Sequence, residues 1–211
     1  MSVKSENNKR IAKNTFLLYF RMLFTMGVSL YTSRVVLNTL GVEDFGIYNV
    51  VGGVVVMFSF LNSSLATATQ RFLNYEMGQG NALKLEKVFS IALTGHYLIA
   101  LSVILLAETI GLWFVSTQLE IPAERMHAAL WVYQFSILTL AVSIISVPYN
   151  AVIIAHERMK VFAYVSIAEV SLKLTVVFLL VYLSFDKLVL YAFLLLVVAV
   201  IVRMIYATYC K

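Results

Sequence analysis

The chain has 211 residues, of which 61% are hydrophobic and only 13% are charged, and its mean hydropathy is +0.88. A soluble domain usually has about a quarter of its residues charged, so this composition excludes an ordinary water-soluble globular protein and indicates an integral membrane protein. The formal net charge of +5 would suggest nucleic acid as a partner in a soluble chain. In a membrane protein, an excess of basic residues on the cytoplasmic side explains this charge, and no nucleic-acid partner is expected.

Six apolar stretches are long enough to cross a bilayer as helices, because a hydrocarbon core of roughly 30 Å needs about 20 helical residues. Their apolar runs are continuous rather than alternating, which favours helices over barrel strands. The predicted spans cover residues 15–33, 47–66, 88–117, 127–154, 161–183 and 188–209. The sequence therefore predicts an all-α, polytopic membrane helical bundle, in which residues 1–211 form a single lobe of six transmembrane helices.

The first span follows a basic segment, as the apolar region of a signal peptide does. It is too long for such a region, contains Arg21 and lacks a small-x-small cleavage site, so we expect it to be retained. With the N-terminus in the cytoplasm, eleven of the 16 basic residues lie on that side: Lys4, Lys9, Arg10, Lys13, Arg71, Lys84, Lys87, Arg158, Lys160, Arg203 and Lys211. Three lie on the opposite side: Arg34, Arg125 and Lys187. The positive-inside rule therefore predicts that both termini are cytoplasmic.

Polar residues fall on one face of several predicted helices when the spans are projected at about 100° per residue. The second span aligns Asn49, Gly52, Gly53, Ser59, Ser63, Thr67 and Gln70. The fourth span aligns Ser136, Thr139, Ser143, Ser146 and Asn150. Such residues let helices approach closely and form hydrogen bonds between them, and they also line cavities. Both interpretations remain open at this point.

Charged residues within the spans are a stronger signal. An Arg or Lys at a helix centre costs roughly 2.5–3.5 kcal/mol on insertion scales, so such residues usually face a cavity or a partner. Glu169 and Lys173 have the order and spacing of an ion pair on one helix, which is consistent with a structural pair as well as with a functional site. Arg21 has no acidic residue on its own helix, and Glu108 lies at a different predicted depth. A lone cation is what an anionic headgroup requires.

The sequence contains no nucleotide-binding loop of the GxxxxGK[ST] type, so the chain does not hydrolyse ATP itself. The segment beginning at His156 resembles a zinc-protease HExxH sequence, but it has Lys160 in place of the second histidine. His96 and His127 lie on other elements, without the spacing of metal ligands. We therefore expect no cofactor, no metal site and no catalytic residue, and do not expect the chain to be an enzyme.

Three segments carry a family resemblance: LNTLGVEDFGIYNVVGG (37–53), SSLATATQRFLNYEMGQGN (63–81) and VPYNAVIIAHERMKVFAYVSI (147–167). In order and context they resemble the polysaccharide-biosynthesis (O-antigen) flippases of the MOP superfamily, which are MATE-like transporters. The resemblance implies a flippase that moves undecaprenyl-diphosphate-linked oligosaccharide, such as an O-antigen or capsule repeat unit, across the bacterial inner membrane by alternating access. Its implied partners are this substrate and membrane lipid.

Family members have two six-helix lobes around a cationic central cavity, whereas this chain has six predicted spans. The chain is then the N-terminal lobe of a longer protein, a truncated gene product or a half-size protein that dimerises, and the first two are the expectation here. In each case the resemblance implies that a second six-helix lobe, in the same chain or another copy, completes the cavity. If they have the role of the family's cavity cations, Arg21 and Lys173 would contact diphosphate or acidic sugar. Arg34 and Arg71 are further candidate cavity cations, or belong to gates or to the interface between lobes.

Two other functions remain open on the sequence. A cation-coupled multidrug or metabolite efflux protein of the same superfamily would use Glu108, Glu169 or both to carry a proton or Na⁺, as intramembrane carboxylates often do. A non-transporting membrane scaffold component would tolerate joint neutralisation of Glu169 and Lys173.

Overall fold

The computed structural model describes residues 3–182 and 185–210. The side chains of Lys4, Lys9 and Arg10, and the whole of Leu183 and Lys211, lie outside the described part of the chain. The described residues are almost entirely helical and contain no strand. The elements are α1 (Val3–Val56), α2 (Phe60–Gly78), α3 (Ala82–Leu106), a π-helical turn (Ala107–Gly111), α4 (Leu112–Thr117), α5 (Met126–Ala155), α6 (Met159–Tyr182) and α7 (Lys187–Tyr209).

Five described helical segments are long and apolar enough to cross a membrane. They are Ile11–Val56, Ala82–Thr117, Met126–Ala155, Met159–Tyr182 and Lys187–Tyr209. This confirms the helical class and supports membrane placement. Five segments are found among the described residues where the sequence predicts six spans.

Helix α1 is broken at Gly41, which has φ +82° and ψ 169°. A positive φ of this kind favours glycine, which has no Cβ to clash with the backbone. Arg21 contacts Ser166 in the first half of α6. Asp44 instead pairs with Arg125, which also pairs with Asp186 beyond the end of α6. Gly41 thus separates a first arm (residues 3–40), which runs alongside α6, from a second arm (residues 42–56).

The second predicted span, residues 47–66, is not one continuous helix. The second arm ends at Val56, and the chain turns through residues 57–59 before α2 begins. The N–H of Phe58 donates to the carbonyl of Val55 at 3.0 Å, and the Ser59 hydroxyl donates to the carbonyl of Val56 at 2.7 Å. Bonds to the third residue back therefore replace the α-helical ladder here. Helix α2 is too polar to count among the five apolar segments.

The third predicted span, residues 88–117, is unbroken but changes its helical pitch at the π-helical turn. The Tyr133 hydroxyl of α5 donates to the carbonyl of Ala107 at 2.7 Å, and the N–H of Leu112, five residues on, bonds the same carbonyl. A Cβ on Gly111 would lie 2.0 Å from the Tyr133 oxygen. The close approach of this hydroxyl therefore requires glycine at position 111.

Helix α5 is the central helix. Half of its most apolar window is buried, against 22–28% for the other four apolar segments. One face of α5 packs with the second arm of α1, with α3 and with the start of α7, and its C-terminal end reaches a second apolar cluster made with the first arm, α6 and α7. Most polar residues in the middle of α5 are therefore at least partly buried between packed helices, whereas Ser143 is exposed.

Candidate functional site

The polar stripe predicted on the fourth span lines two cavities between helices. Ser136, Thr139 and Ser143 of α5 line a cavity of about 450 Å³ beside the turn at residues 57–59, which we call the Ser59 cavity. The C-terminal part of the stripe lines a cavity of about 280 Å³ against α6 and α7, which we call the Glu169 cavity. Ser143 lines both. Of the two interpretations of this stripe, lining a cavity is therefore the one that the fold favours.

The Ser59 cavity is formed by four parts of the chain, namely the second arm of α1, the start of α2, α5 and α7. Its polar lining is uncharged: Asn49, Ser59, Asn62, Ser136, Thr139 and Ser143. Glycine at positions 52 and 53 keeps the wall contributed by the second arm low. Its volume falls within the range of about 300–1,000 Å³ that is typical of small-molecule sites.

The Glu169 cavity lies beside a group of charged residues. Glu169 lines it together with Ser166, and the Oε1 of Glu169 accepts a hydrogen bond from Lys173 Nζ at 2.6 Å. From the first arm of α1, Arg21 donates to the Ser166 hydroxyl at 3.3 Å and lies over the Phe162 ring, 4.6 Å from its centroid. The structure therefore brings together three of the predicted site residues, and we call these residues the Arg21 group.

Hydrogen bonding in the Arg21 group is incomplete. Arg21 Nε is buried without a hydrogen-bond partner among the described residues, as is Oδ1 of Asn150, which lines the Glu169 cavity. Buried polar groups usually have partners, and an unpartnered one costs free energy that a bound ligand or water can recover. At 1.5 Å per residue, Glu169 lies about 15 Å from the start of a helix about 36 Å long. The group is therefore near the middle of α6.

The other predicted site residues lie elsewhere. Arg34 and Arg71 are exposed, on α1 and α2, and neither lines the two cavities. Glu108 lies in the π-helical turn, where its Oε2 accepts a hydrogen bond from Gln134 at 3.0 Å. Among the described residues, no cluster of His, Cys, Asp or Glu has the makings of a metal site. The charged residues predicted within the spans thus lie in two separate places, the Arg21 group and the π-helical turn that contains Glu108.

An ionic junction that the sequence analysis did not predict ties three helix ends together. Arg125, just before α5, donates from Nε to Asp44 at 2.8 Å and from Nη1 to Asp186 at 2.9 Å, and its Nη2 pairs with the second oxygen of Asp44. Asp186 also caps α7, since it accepts from the N–H groups of Leu188 and Val189. We call Arg125, Asp44 and Asp186 the Arg125 junction.

The hydrogen bonds with Asp44 raise the pKa of Arg125 above its ordinary value, and the nearby charge of Asp186 adds to this effect. The guanidinium therefore remains protonated at any physiological pH. The sequence offered one signal for the junction, an acidic residue three positions after Gly41. Nothing in the sequence indicated which cation would meet it.

Comparison with protein-family models, with curated proteins and with solved structures finds no match. What the site can do therefore follows from its chemistry. An incompletely paired arginine near the middle of a helix is suited to an anion, and the adjoining hydroxyl and amide groups are suited to a neutral polar group.

Proposed function

We propose that the chain is one lobe of a membrane flippase for undecaprenyl-diphosphate-linked oligosaccharide, with Arg21 as a diphosphate-binding residue. The single observation that carries the proposal is the state of Arg21, which lies between helices, contacts a neutral hydroxyl and a ring, and has its Nε unpartnered. No carboxylate within the described residues forms an ion pair with it. Such a guanidinium offers donors that match phosphate oxygens.

The charge balance of the site favours an anionic substrate over a cationic drug. Glu169 is the only carboxylate among the described residues that line the two cavities, and Lys173 pairs with it. Adding Arg21 gives the group a net charge of about +1. An exporter of cationic drugs needs an acidic site, so this balance supports the flippase over the efflux protein.

The exposure of the Arg21 group is consistent with half of a binding site. The Lys173 and Glu169 side chains are 42% and 34% exposed in the isolated chain. Substrate sites of transporters built from repeats lie at the interface between the repeats. A second six-helix lobe over the α1 and α6 face would enclose these charges, and alternating access would follow from movement of the two lobes about them. We place this lobe in the bacterial inner membrane with both termini cytoplasmic.

The proposal is tested by binding and by transport. The protein, produced from its own gene with any partner lobe, is placed in nanodiscs and titrated with undecaprenyl diphosphate, and undecaprenol serves as the uncharged probe. Arg21→Ala should weaken diphosphate binding by about 10- to 100-fold, since a charge-assisted hydrogen bond contributes about 1.5–3 kcal/mol. Lys13→Ala, on an exposed part of the same helix, should have no effect.

Transport is then followed in proteoliposomes that contain the lipid-linked oligosaccharide. The wild-type protein should move it between leaflets, and the loss with Arg21→Ala should match the loss of binding. Equal binding of undecaprenyl diphosphate and undecaprenol by the wild-type protein, or unchanged transport with Arg21→Ala, would show that the proposal is wrong.

A further inference from the structure

The Ser59 cavity differs from the Arg21 group in the charge of its lining. None of the described residues that line it carries a charge, although the neighbouring Glu169 cavity has a carboxylate in its wall. The cavity is open on one side, since Asn49 and Ser143 in its lining are exposed, and an ionised group that entered it would find no counter-charge there. A neutral, polar group therefore fits the Ser59 cavity better than a charged one.

The hydrogen bonds already made in this cavity determine which neutral groups fit it. The hydroxyls of Ser59, Thr139 and Ser143 donate their hydrogens to backbone carbonyls three or four residues back, at 2.7, 2.7 and 3.0 Å. The Asn49 amide nitrogen likewise donates to the carbonyl of Phe45 at 2.7 Å. Since a hydroxyl has one hydrogen and two lone pairs, these side chains are left mainly with acceptor capacity.

One acceptor in the lining is buried and unused. Oδ1 of Asn62, in the first turn of α2, has no hydrogen-bond partner in the part of the chain that the structure describes. Asn62 is placed there by the break at residues 57–59, because α2 begins at Phe60. A ligand that donates hydrogen bonds would satisfy this oxygen together with the lone pairs of the hydroxyls.

The two cavities form a row. They meet at Ser143, and the Ser166 hydroxyl, which lines the second cavity, receives the hydrogen bond from Arg21. Along α5 the row extends from Ser136 to Asn150, a distance of about 21 Å at 1.5 Å per residue. A ligand with its anionic group at Arg21 and a neutral, hydroxyl-rich group further along the row would occupy it in one orientation.

We propose that the Ser59 cavity is the sugar subsite of the substrate, in which the hydroxyl groups of a neutral sugar donate to Asn62 and to the hydroxyls of α5. This inference rests on the proposed function, and it adds the residues that distinguish the sugar from the lipid diphosphate. Asn62 and Thr139 are then specificity-determining residues, whereas Arg21 binds the part common to all such lipids.

The test compares two probes in the nanodisc-embedded protein, bare undecaprenyl diphosphate and undecaprenyl diphosphate linked to a neutral trisaccharide. Asn62→Leu and Thr139→Val remove polar atoms with little change in volume. Each should weaken binding of the sugar-linked lipid by about 5- to 10-fold and leave binding of the bare lipid within twofold. Thr175→Val is the matched control, because the Thr175 hydroxyl also donates to a backbone carbonyl four residues back but lines neither cavity.

Thr139→Ser should bind the sugar-linked lipid better than Thr139→Val does, because it keeps the hydroxyl. This comparison separates loss of the hydroxyl from a change in packing. Thermal unfolding checks that each variant is folded. The sugar subsite is overturned if Asn62→Leu and Thr139→Val affect both probes equally or neither, and the flippase proposal then stands on Arg21→Ala alone. If the wild-type protein binds neither probe, both proposals fail together.

Discussion

The two groups of charged side chains in this fold differ in how completely they are paired. In the Arg125 junction one guanidinium is held by two carboxylates from two other parts of the chain, and Asp44, which is only 14% exposed, is bonded through both of its oxygens. In the Arg21 group the two opposite charges pair within one helix, and the arginine from the other helix forms no ion pair with any described residue. The junction therefore has the features of a structural contact, and the Arg21 group has those of a site that a ligand completes.

Position in the fold supports the same distinction. The Arg125 junction joins the chain just after Gly41, the start of α5 and the start of α7, so it holds three helix ends in register. The Arg21 group lies near the middle of α6, beside a cavity. A charge that secures helix ends contributes to stability, whereas a charge at mid-helix beside a cavity contributes to binding.

The largest expected effect on stability comes from Arg125→Ala. It leaves Asp44 and Asp186 side by side without their cation, and we expect a loss of about 2–3 kcal/mol in the free energy of unfolding, reduced from the buried limit because Arg125 is 30% exposed. Chemical denaturation in detergent measures this loss. Because folding raises the pKa of Arg125 above its ordinary value, the contribution is fully present at any pH below that ordinary value and is lost only as the pH rises through the raised one.

Arg125→Lys is the matched variant. It keeps the charge but cannot form the bonds from Nε and Nη2 to both oxygens of Asp44, so it should recover only part of the loss. The folded fraction of both variants should bind undecaprenyl diphosphate as the wild-type protein does. A large loss of affinity with unchanged stability would reverse the assignment of the two groups.

A smaller effect on stability is expected where the uncharged Tyr133 hydroxyl packs closely against Gly111. Gly111→Ala would place a methyl group 2.0 Å from the buried Tyr133 hydroxyl. Overpacking of this kind costs about 1–3 kcal/mol, and the better helix propensity of alanine offsets part of it, so we expect about 1–2 kcal/mol. Gly95→Ala is the control, because its Cβ would meet nothing within 4 Å.

Combining Gly111→Ala with Tyr133→Phe tests whether the hydroxyl is the cause. Removal of the oxygen leaves the ring carbon as the nearest atom, at 3.2 Å from the new Cβ. The double variant should therefore be more stable than the sum of the two single losses predicts. Strict additivity would mean that the π-helical turn moves away from Tyr133 on substitution.

The sequence predicted those features that follow from spacing along one helix. The stripe from Ser136 to Asn150 and the pair of Glu169 with Lys173 depend only on a period of 3.6 residues, and both are present in the structure. The arrangement of Asp44 with Arg125, 81 residues apart, depends on which helix ends meet, and no local pattern specifies this.

The sequence also does not predict the two irregular backbone segments, namely the break at residues 57–59 and the π-helical turn. The second predicted span was drawn as continuous through residues 57–59, because apolar residues on both sides of Ser59 hide the break. The π-helical turn depends on the Tyr133 hydroxyl reaching a carbonyl of another helix at 2.7 Å. The π-helical turn thus results from a tertiary contact that overrides local helix preference, and the break at residues 57–59 shapes the candidate sugar subsite.

The smallest expected effects concern the ion pair of the Arg21 group. An i,i+4 pair contributes only about 0.3–0.5 kcal/mol, so Glu169→Gln and Lys173→Gln should barely change stability. Their effects on diphosphate affinity should be opposite in sign and about threefold each, because Glu169→Gln leaves an uncompensated cation near Arg21 and Lys173→Gln leaves an uncompensated anion. The double variant should return close to wild-type affinity. Titration at low salt measures this, and the differences between variants should shrink when it is repeated at high salt.

The other two functions predict different outcomes for these variants. A non-transporting scaffold would show the same affinity in all three. An efflux protein that couples a proton to Glu169 would lose transport with Glu169→Gln even when Lys173 is also changed. The pair thus separates the three functions, although it contributes least to the fold.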